Sequence, residues 1–128
     1  MPLIPKDVIE VRRSRGRGRG VFARELIKRG TVIERVPLIV FPETHLEIDE
    51  GVSALYPYVF EWSRGRVALA LGFGSIYNHS FKPNARYDDQ PPQTKIFTAI
   101  KDIKPGDEIT VNYNGHQDDC SPMDFTVV

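Results

Sequence analysis

Hydrophobic side chains fall into short runs along this chain, rich in β-branched residues and separated by glycine and proline. Runs of this length, bounded by turn-forming residues, are typical of β-strands. Five of them predict strands, at residues 7–11, 31–36, 38–41, 94–100 and 108–113. The pattern therefore predicts a mostly β domain of many short strands.

Turns are signalled more clearly than helices. Lys104-Pro105-Gly106-Asp107 separates the last two predicted strands, and proline followed by glycine suits the two central positions of a tight turn. Helical periodicity is weak throughout, and the best helix candidate, residues 52–62, is interrupted by Pro57. We expect one or two short helices.

Size and charge narrow the class of protein. The chain has 128 residues and a mass of 14.5 kDa, which predicts a single domain. Lys and Arg number 17, as do Asp and Glu, so the formal net charge is zero. This balance does not support a general electrostatic grip on nucleic acid, and we do not expect nucleic acid as a partner.

Membrane insertion and disulfide chemistry are not expected either. No apolar run approaches the roughly 18 residues of a membrane-spanning helix, and the first six residues lack the apolar centre of a signal peptide. Cys120 is the only cysteine, which excludes a disulfide framework and a multi-cysteine zinc site within the chain. We expect an intracellular protein, cytoplasmic or nuclear, without a metal.

An arginine-glycine run, Arg12-Arg13-Ser14-Arg15-Gly16-Arg17-Gly18-Arg19-Gly20, precedes the strand-like Val21-Phe22-Ala23. Three interpretations of the run remain open: a solvated charged turn, a patch that binds nucleic acid, or a glycine loop whose backbone closely approaches a ligand. The strand-like continuation argues against a disordered arm.

Two further segments carry candidate chemistry. Gly72-Phe73-Gly74-Ser75-Ile76-Tyr77-Asn78-His79-Ser80 contains an Asn-His pair that ordinary turn chemistry explains equally well. Gly106-Asp107-Glu108-Ile109-Thr110-Val111-Asn112-Tyr113 reads as a turn and a strand that ends in tyrosine. Neither segment has the spacing of a metal site.

The three segments in this order resemble the SET-domain family of protein-lysine methyltransferases, close to the minimal viral-type members. The glycine run matches the family's first motif; Asn78-His79-Ser80, with Pro83-Asn84 after it, matches the third; and the segment ending in Tyr113 matches the fourth. The resemblance implies a SET fold of several small β-sheets with a C-terminal pseudoknot. It spans residues of about 8–115 within a single SET domain at 1–128, and the tail at 116–128 lacks the zinc-binding segment of many relatives.

The resemblance implies an enzyme that moves a methyl group from S-adenosyl-L-methionine to a protein lysine. A free lysine amine has a pKa of about 10.4, so neutralising it near neutral pH costs about 4 kcal/mol. Only the neutral amine can attack, and a dry channel beside a sulfonium lowers that cost.

The resemblance also assigns the tyrosines of the site. Tyr113 would be the active-site tyrosine; Tyr58 and Tyr87 would be channel tyrosines, with Tyr56 as the fallback for Tyr58.

Cofactor-binding residues also follow from the resemblance. The matching positions are Arg17, Gly18, Arg19, Gly20, Asn78, His79 and Tyr113, with Phe125 as the residue on which the adenine stacks. Val111 is small where many multiply methylating members have an aromatic residue. Tyr87 would fill that space and favour mono- or dimethylation.

The resemblance leaves the partners open. It implies a lysine-bearing protein substrate, a histone tail or another protein, and viral-type relatives suggest a homodimer. An alternative is a catalytically silent SET-like module that binds a peptide or RNA, which the arginine-glycine run motivates.

Overall fold

The computed structural model describes residues 8–114, 118, 120 and 121. Helical structure in this part of the chain consists of two short 3-10 turns, Glu43–Leu46 and Tyr56–Tyr58. Eleven strands make up the remaining regular structure of the described residues: β1 Ile9–Ser14, β2 Gly18–Ala23, β3 Val32–Pro42, β4 Glu47–Ile48, β5 Gly51–Val52, β6 Val59–Ser63, β7 Arg66–Ala70, β8 Asn78–His79, β9 Ala85–Gln90, β10 Thr94–Ala99 and β11 Glu108–Val111. None of the described helical turns is long and apolar enough to cross a membrane.

The strands form three small sheets. One has the order β1-β2-β11-β8, a second has the order β6-β7-β3-β10-β9, and β4 pairs with β5. The C-terminal strand β11 lies between β2, to which it is antiparallel, and β8, to which it is parallel. The predicted mostly β fold of several small sheets is confirmed, and β11 takes the place beside Asn78 and His79 that the pseudoknot requires.

The buried core draws side chains from both larger sheets. Val21 and Ile109 contribute from the first, and Ala68 and Phe97 from the second, all with essentially no exposed surface. The Tyr77 ring stacks on Phe97 with centroids 4.4 Å apart. The core therefore anchors the residue that directly precedes the Asn-His pair.

The predicted turn at Lys104-Pro105-Gly106-Asp107 is confirmed. The Asp107 N–H donates to the Lys104 carbonyl at 3.0 Å, and Gly106 has a φ of +89°, which favours glycine. The Gly106 N–H donates to the Ala23 carbonyl at 2.8 Å. This bond ties the turn to the end of β2, and β11 begins from it.

The best helix candidate, residues 52–62, is helical only at the 3-10 turn Tyr56–Tyr58, which with Glu43–Leu46 gives two short helical turns in the described residues, as expected. This segment holds β5, the 3-10 turn at Tyr56–Tyr58 and strand β6. Pro57 cannot donate the hydrogen bond that a helix interior needs. Val59 and Phe60 instead pair with Leu69 and Ala68 of β7, as suits β-branched and aromatic side chains.

Other predicted boundaries shift for identifiable reasons. The strands expected at 31–36 and 38–41 are two halves of β3, which pairs with β10 up to Pro37 and with β7 from Leu38. The proline, which lacks an N–H, sits where the strand changes partners. The strand expected at 7–11 is β1, which continues through the arginines to Ser14, and the strand expected at 108–113 ends at Val111.

Candidate active site

Glu108, the first residue of β11, joins three segments that are distant in sequence. Its carboxylate accepts hydrogen bonds from Ser14 Oγ at 2.7 Å, from Arg17 Nη1 at 3.3 Å and from Asn78 Nδ2 at 2.7 Å. Bonds to a charged acceptor are stronger than neutral ones. One carboxylate therefore holds the β1–β2 hairpin against the Asn-His strand.

Gly20 sits where the hairpin touches this network. A Cβ on Gly20 would overlap the Glu108 carboxylate and lie 2.8 Å from Asn78 Nδ2. The Asn78 amide also donates to the Arg19 carbonyl at 2.8 Å. Only glycine allows this approach, and we call the group Gly18, Arg19, Gly20, Asn78 and Glu108 the glycine cradle.

The arginine run is part of a regular hairpin, not an arm. Arg12 lies over the Phe22 ring, 4.4 Å from its centroid, and Arg17 pairs with Glu108. Arg13 and Arg19 face each other across the two strands and are exposed. The close backbone approach at Gly20 is to Glu108 and Asn78 of the same chain, and the approach of this backbone to a ligand stays a prediction.

Tyr113 follows β11 and is fixed at two atoms. Its hydroxyl donates to the Tyr77 carbonyl at 2.7 Å, and its backbone N–H donates to His79 Nδ1 at 2.9 Å. Burial, with a smaller contribution from the Glu108 carboxylate, raises the pKa of Tyr113 to about 12. The phenol is therefore protonated at neutral pH.

His79 supports Tyr113 from β8. Burial, assisted by the Arg17 charge, lowers the pKa of His79 below its usual value, so the ring is neutral at pH 7. Because Nδ1 accepts a hydrogen bond, the neutral ring carries its proton on Nε2. Within the described part of the chain, no group of three or more His, Cys, Asp or Glu residues could hold a metal ion.

Tyr87, on β9 of the five-stranded sheet, contacts Tyr113. Its hydroxyl donates to the Tyr113 carbonyl at 3.3 Å, and its ring meets Phe60 edge-on with centroids 5.1 Å apart. Burial, followed by the charge of Asp89, raises the pKa of Tyr87 to about 12. The two tyrosines thus form one connected wall.

A pocket of about 580 Å³ lies against this wall, and we call it the aromatic pocket. The predicted active-site tyrosine and both predicted channel tyrosines line it, with Tyr58 present rather than its fallback Tyr56. Its lining residues are Pro57, Tyr58, Val59, Phe60, Glu61, Ser75, Tyr77, Tyr87, Asp88, Asp89, Lys95, Tyr113 and Asn114. The structure therefore brings Tyr58, Tyr87 and Tyr113 together, whereas Phe125 lies outside the described residues.

A buried carboxyl-phenol pair was missed by sequence reasoning. The Tyr77 hydroxyl donates to Glu34 Oε1 at 2.7 Å, and the Phe73 N–H approaches Glu34 Oε2 at 3.5 Å. Burial is the main cause that raises the pKa of Glu34, and burial together with Glu34 raises that of Tyr77. The Tyr77 carbonyl accepts a hydrogen bond from the Tyr113 hydroxyl, so the Glu34–Tyr77 pair helps to hold Tyr113 in place. No local sequence signal marked Glu34.

Asn84 is a second residue whose role appears only in three dimensions. Its Nδ2 donates to the Glu108 carbonyl at 2.8 Å, and its Oδ1 accepts from the Thr110 N–H at 2.9 Å. The amide thereby pairs with the backbone of β11 as a neighbouring strand would. Its place in the Pro83-Asn84 motif was the available signal.

The chain was compared with known proteins. The SET domain family model matches residues 18–114. A fission yeast protein named histone-lysine N-methyltransferase, H3 lysine-37 specific, is 33% identical over 117 residues, which cover 91% of this chain and 79% of that protein. The chain belongs to the SET-domain family.

Solved structures agree with that assignment. A proposed histone methyltransferase of Plasmodium falciparum matches with a TM-score of 0.67 and 32% identity, over 82% of this chain and 91% of that one. A Polycomb repressive complex 2 chain of Chaetomium thermophilum, bound to S-adenosylmethionine, matches with a TM-score of 0.68 over 83% of this chain and 15% of its own length. At 23% identity, this second match supports the fold alone.

Family membership confirms the predicted class of enzyme. The chain is a SET-domain protein-lysine methyltransferase, and S-adenosylmethionine is the cofactor of this class. The alternative of a silent binding module is not favoured.

Proposed function

We propose that the chain methylates a lysine of a histone and acts in the nucleus. The observation that carries the proposal is the convergence of Tyr58, Tyr87 and Tyr113 on one pocket beside the Asn-His strand. The similarity to a fission yeast histone-lysine methyltransferase supports a histone as the protein substrate.

The catalytic core that we propose comprises residues 8–115 of a single SET domain at 1–128. The family match at residues 18–114 lies within this core. The tail at 116–128 contains one cysteine and supplies no zinc-binding segment.

The cofactor would be held by Arg17, Gly18, Arg19, Gly20, Asn78, His79, Tyr113 and, from the tail, Phe125. The glycine cradle fits such a group because the exposed residues Gly18 and Arg19 lie next to the polar Asn78 amide, which donates to the Arg19 carbonyl. When bound, S-adenosylmethionine supplies an electrophilic methyl group on a sulfonium.

The aromatic pocket would receive the substrate lysine. Tyrosine rings suit the apolar stem of a lysine and tolerate its cationic product. The pocket lining carries three carboxylates, Glu61, Asp88 and Asp89, against one ammonium, Lys95, and this excess of negative charge favours the approach of a basic peptide. Loss of the ammonium proton to water before attack makes a strong side-chain base unnecessary, and the remaining task is alignment.

Tyr113 is the residue that we assign to alignment at the methyl-transfer point. Its hydroxyl hydrogen is directed at the Tyr77 carbonyl, so the oxygen lone pairs remain available to orient a methyl group through weak CH···O contacts. Tyr58 and Tyr87 would enclose the amine from the other sides.

Tyr87 would also limit the number of methyl groups added. Val111 is small and fully buried, while Tyr87 contacts the Tyr113 carbonyl and occupies the wall of the aromatic pocket. Mono- or dimethylation is the outcome that we propose.

The assembly that we propose is a homodimer. Ile48, Val52, Leu55 and Tyr56, in and after the β4–β5 hairpin, are about half exposed, and such apolar surface supports a protein contact. Sedimentation of the purified chain tests it, and a monomer at every concentration would contradict it.

Two measurements test the proposed activity. The chain is incubated with core histones and S-adenosylmethionine labelled on its methyl group, and the modified residue is identified by mass spectrometry. S-adenosylhomocysteine is added separately, because a ligand that binds only the folded state must raise the melting temperature. We expect a labelled histone lysine and a higher melting temperature. The absence of both methyl transfer and a shift in melting temperature would contradict the proposal. A shift with histone binding but no transfer would support the silent module.

A further inference from the structure

Lys95 on β10 is a buried cation at the aromatic pocket. Its side chain is only 2% exposed, and it lies among the residues that line the pocket. Lysine is almost never fully buried unless its charge is paired, because removing an ammonium from water is costly. Filling space in the core therefore does not explain why a charged side chain is buried at position 95.

Three groups surround the Lys95 ammonium. Nζ lies 2.6 Å from Asp89 Oδ1, and Asp89 is its direct partner across the β9–β10 pairing. Nζ also lies 4.4 Å from the centroid of the Phe60 ring and 4.6 Å from that of Tyr87. The cation is held between one carboxylate and two aromatic rings, the geometry of an attractive cation–π contact.

The contact with Tyr87 connects Lys95 to the reacting end of the pocket. Tyr87 is restrained at its hydroxyl by the Tyr113 carbonyl, by a T-shaped ring contact with Phe60 and at its face by the Lys95 ammonium. An apolar side chain of equal size would fill the same space without attracting either ring. Buried ion pairs are often no more stabilising than apolar replacements, so stability alone does not account for the lysine.

We propose that Lys95 is a positioning residue that fixes the Tyr87 ring and thereby sets how many methyl groups the pocket allows. The inference rests on the proposed function, since Tyr87 is there assigned to the wall of the lysine pocket. Lys95 touches no reacting atom; it acts through Tyr87.

Lys95→Met tests the proposal because methionine keeps a four-atom unbranched stem and removes the ammonium, with its contacts to Asp89 and to both rings. With the full chain and core histones, mass spectrometry measures the ratio of trimethyllysine to monomethyllysine. We expect this ratio to rise about three-fold or more in the variant, because loss of the cation–π contact releases the ring. Affinity for S-adenosylhomocysteine is expected to stay within about two-fold, since Lys95 lies outside the glycine cradle.

Two further variants complete the design. Lys101→Met removes an exposed lysine shortly after the same strand and is expected to leave the product ratio unchanged. Lys95→Arg retains a cation for both rings and is expected to restore a ratio near that of the unmodified chain. A purely structural role for Lys95 would lower the rate and the melting temperature without changing the ratio.

An unchanged product ratio in a folded, active Lys95→Met variant would overturn the proposal. If that variant does not fold, Lys95→Gln replaces it: glutamine keeps a side-chain N–H that can donate to Asp89 but carries no charge for the rings, and the same direction of change is expected. If the unmodified chain transfers no methyl group, the proposed function fails. The NMR ring resonances of Tyr87 in Lys95→Met then show whether Lys95 positions this ring. Resonances that are unchanged from those of the unmodified chain would refute its role.

Discussion

The glycine cradle and the aromatic pocket are linked by His79, which follows Asn78 and accepts the Tyr113 N–H, but they are held together by different forces. The cradle depends on the Glu108 carboxylate, which accepts bonds from Ser14, Arg17 and Asn78. The pocket is assembled from ring contacts, with Phe60 against Tyr87 and one buried cation between them. The cradle is a polar network around one acceptor, whereas the pocket is a packed aromatic wall.

Because of this difference, we expect substitutions in the cradle to affect cofactor binding and stability, and substitutions in the pocket to affect the rate of methyl transfer. Removal of the acceptor from the cradle breaks three hydrogen bonds at once, so both stability and affinity for the cofactor should suffer. Removal of one polar atom from the pocket leaves its rings packed, so the geometry of the reaction should suffer more than the fold. Three substitutions test this separation.

The largest effect is expected for Tyr113→Phe. The change removes only the hydroxyl that donates to the Tyr77 carbonyl, so the rate of methyl transfer should fall by about 100-fold or more, as when an aligned transition-state contact is lost. Binding of S-adenosylhomocysteine should change less than about two-fold. Calorimetry and initial rates measure the two quantities. Tyr56→Phe is the control, because it removes a phenol hydroxyl from a residue outside the pocket lining. A Tyr113→Phe variant that keeps half of the original rate would contradict the role of the Tyr113 hydroxyl in alignment.

A smaller effect, on the cradle side, is expected for Glu108→Ala. Loss of the shared carboxylate should lower the free energy of unfolding by about 2 kcal/mol and weaken S-adenosylhomocysteine binding about ten-fold, which corresponds to about 1.4 kcal/mol. Urea unfolding and calorimetry provide the measurements. The matched control is Glu10→Ala, since Glu10 pairs only loosely with exposed Arg12, at 3.6 Å. Unchanged affinity in Glu108→Ala would separate the cradle from cofactor binding.

The smallest effect is expected for Tyr77→Phe. The substitution removes the donor to Glu34 Oε1 and should lower the free energy of unfolding by about 1 kcal/mol. Burial already raises the pKa of Glu34, and the Tyr77 hydrogen bond opposes that rise. A carboxyl with a raised pKa favours folding below its unfolded pKa and loses this contribution as the pH rises. The loss in Tyr77→Phe should therefore be larger at pH 7.5 than at pH 5; equal losses would contradict the role of Glu34.

Much of the site followed from motifs that are continuous in sequence. The glycine run, the Asn-His pair and the strand ending near Tyr113 were each visible locally, and their order indicated the family. Tyr58 and Tyr87 came from the same resemblance, and the pocket contains both. Glu34 and Lys95 carried no such signal, because a charged residue inside a predicted strand reads as a solvent-facing position until its neighbours are known.

The helix candidate at residues 52–62, which is helical only at Tyr56–Tyr58, shows the same limit in the fold. Its apolar spacing is compatible with a short helix or with a strand, and periodicity alone does not separate them. The deciding contacts come from β7, which pairs with Val59 and Phe60. Pro37 is the counterpart in β3: it resembled a strand boundary, but the strand continues because its two halves have different partners.

By itself, the sequence determined the short strands, the turn before β11 and the set of motifs that assigns the family, because each depends on residues close together along the chain. Only the tertiary structure decided that Ser14, Asn78 and Glu108 share one network and that Lys95 lies between Phe60 and Tyr87. Such contacts join segments separated by up to 94 positions. The energies of hydrogen bonds to a shared carboxylate and of a buried cation depend on burial and distance, which arise only when the sheets pack.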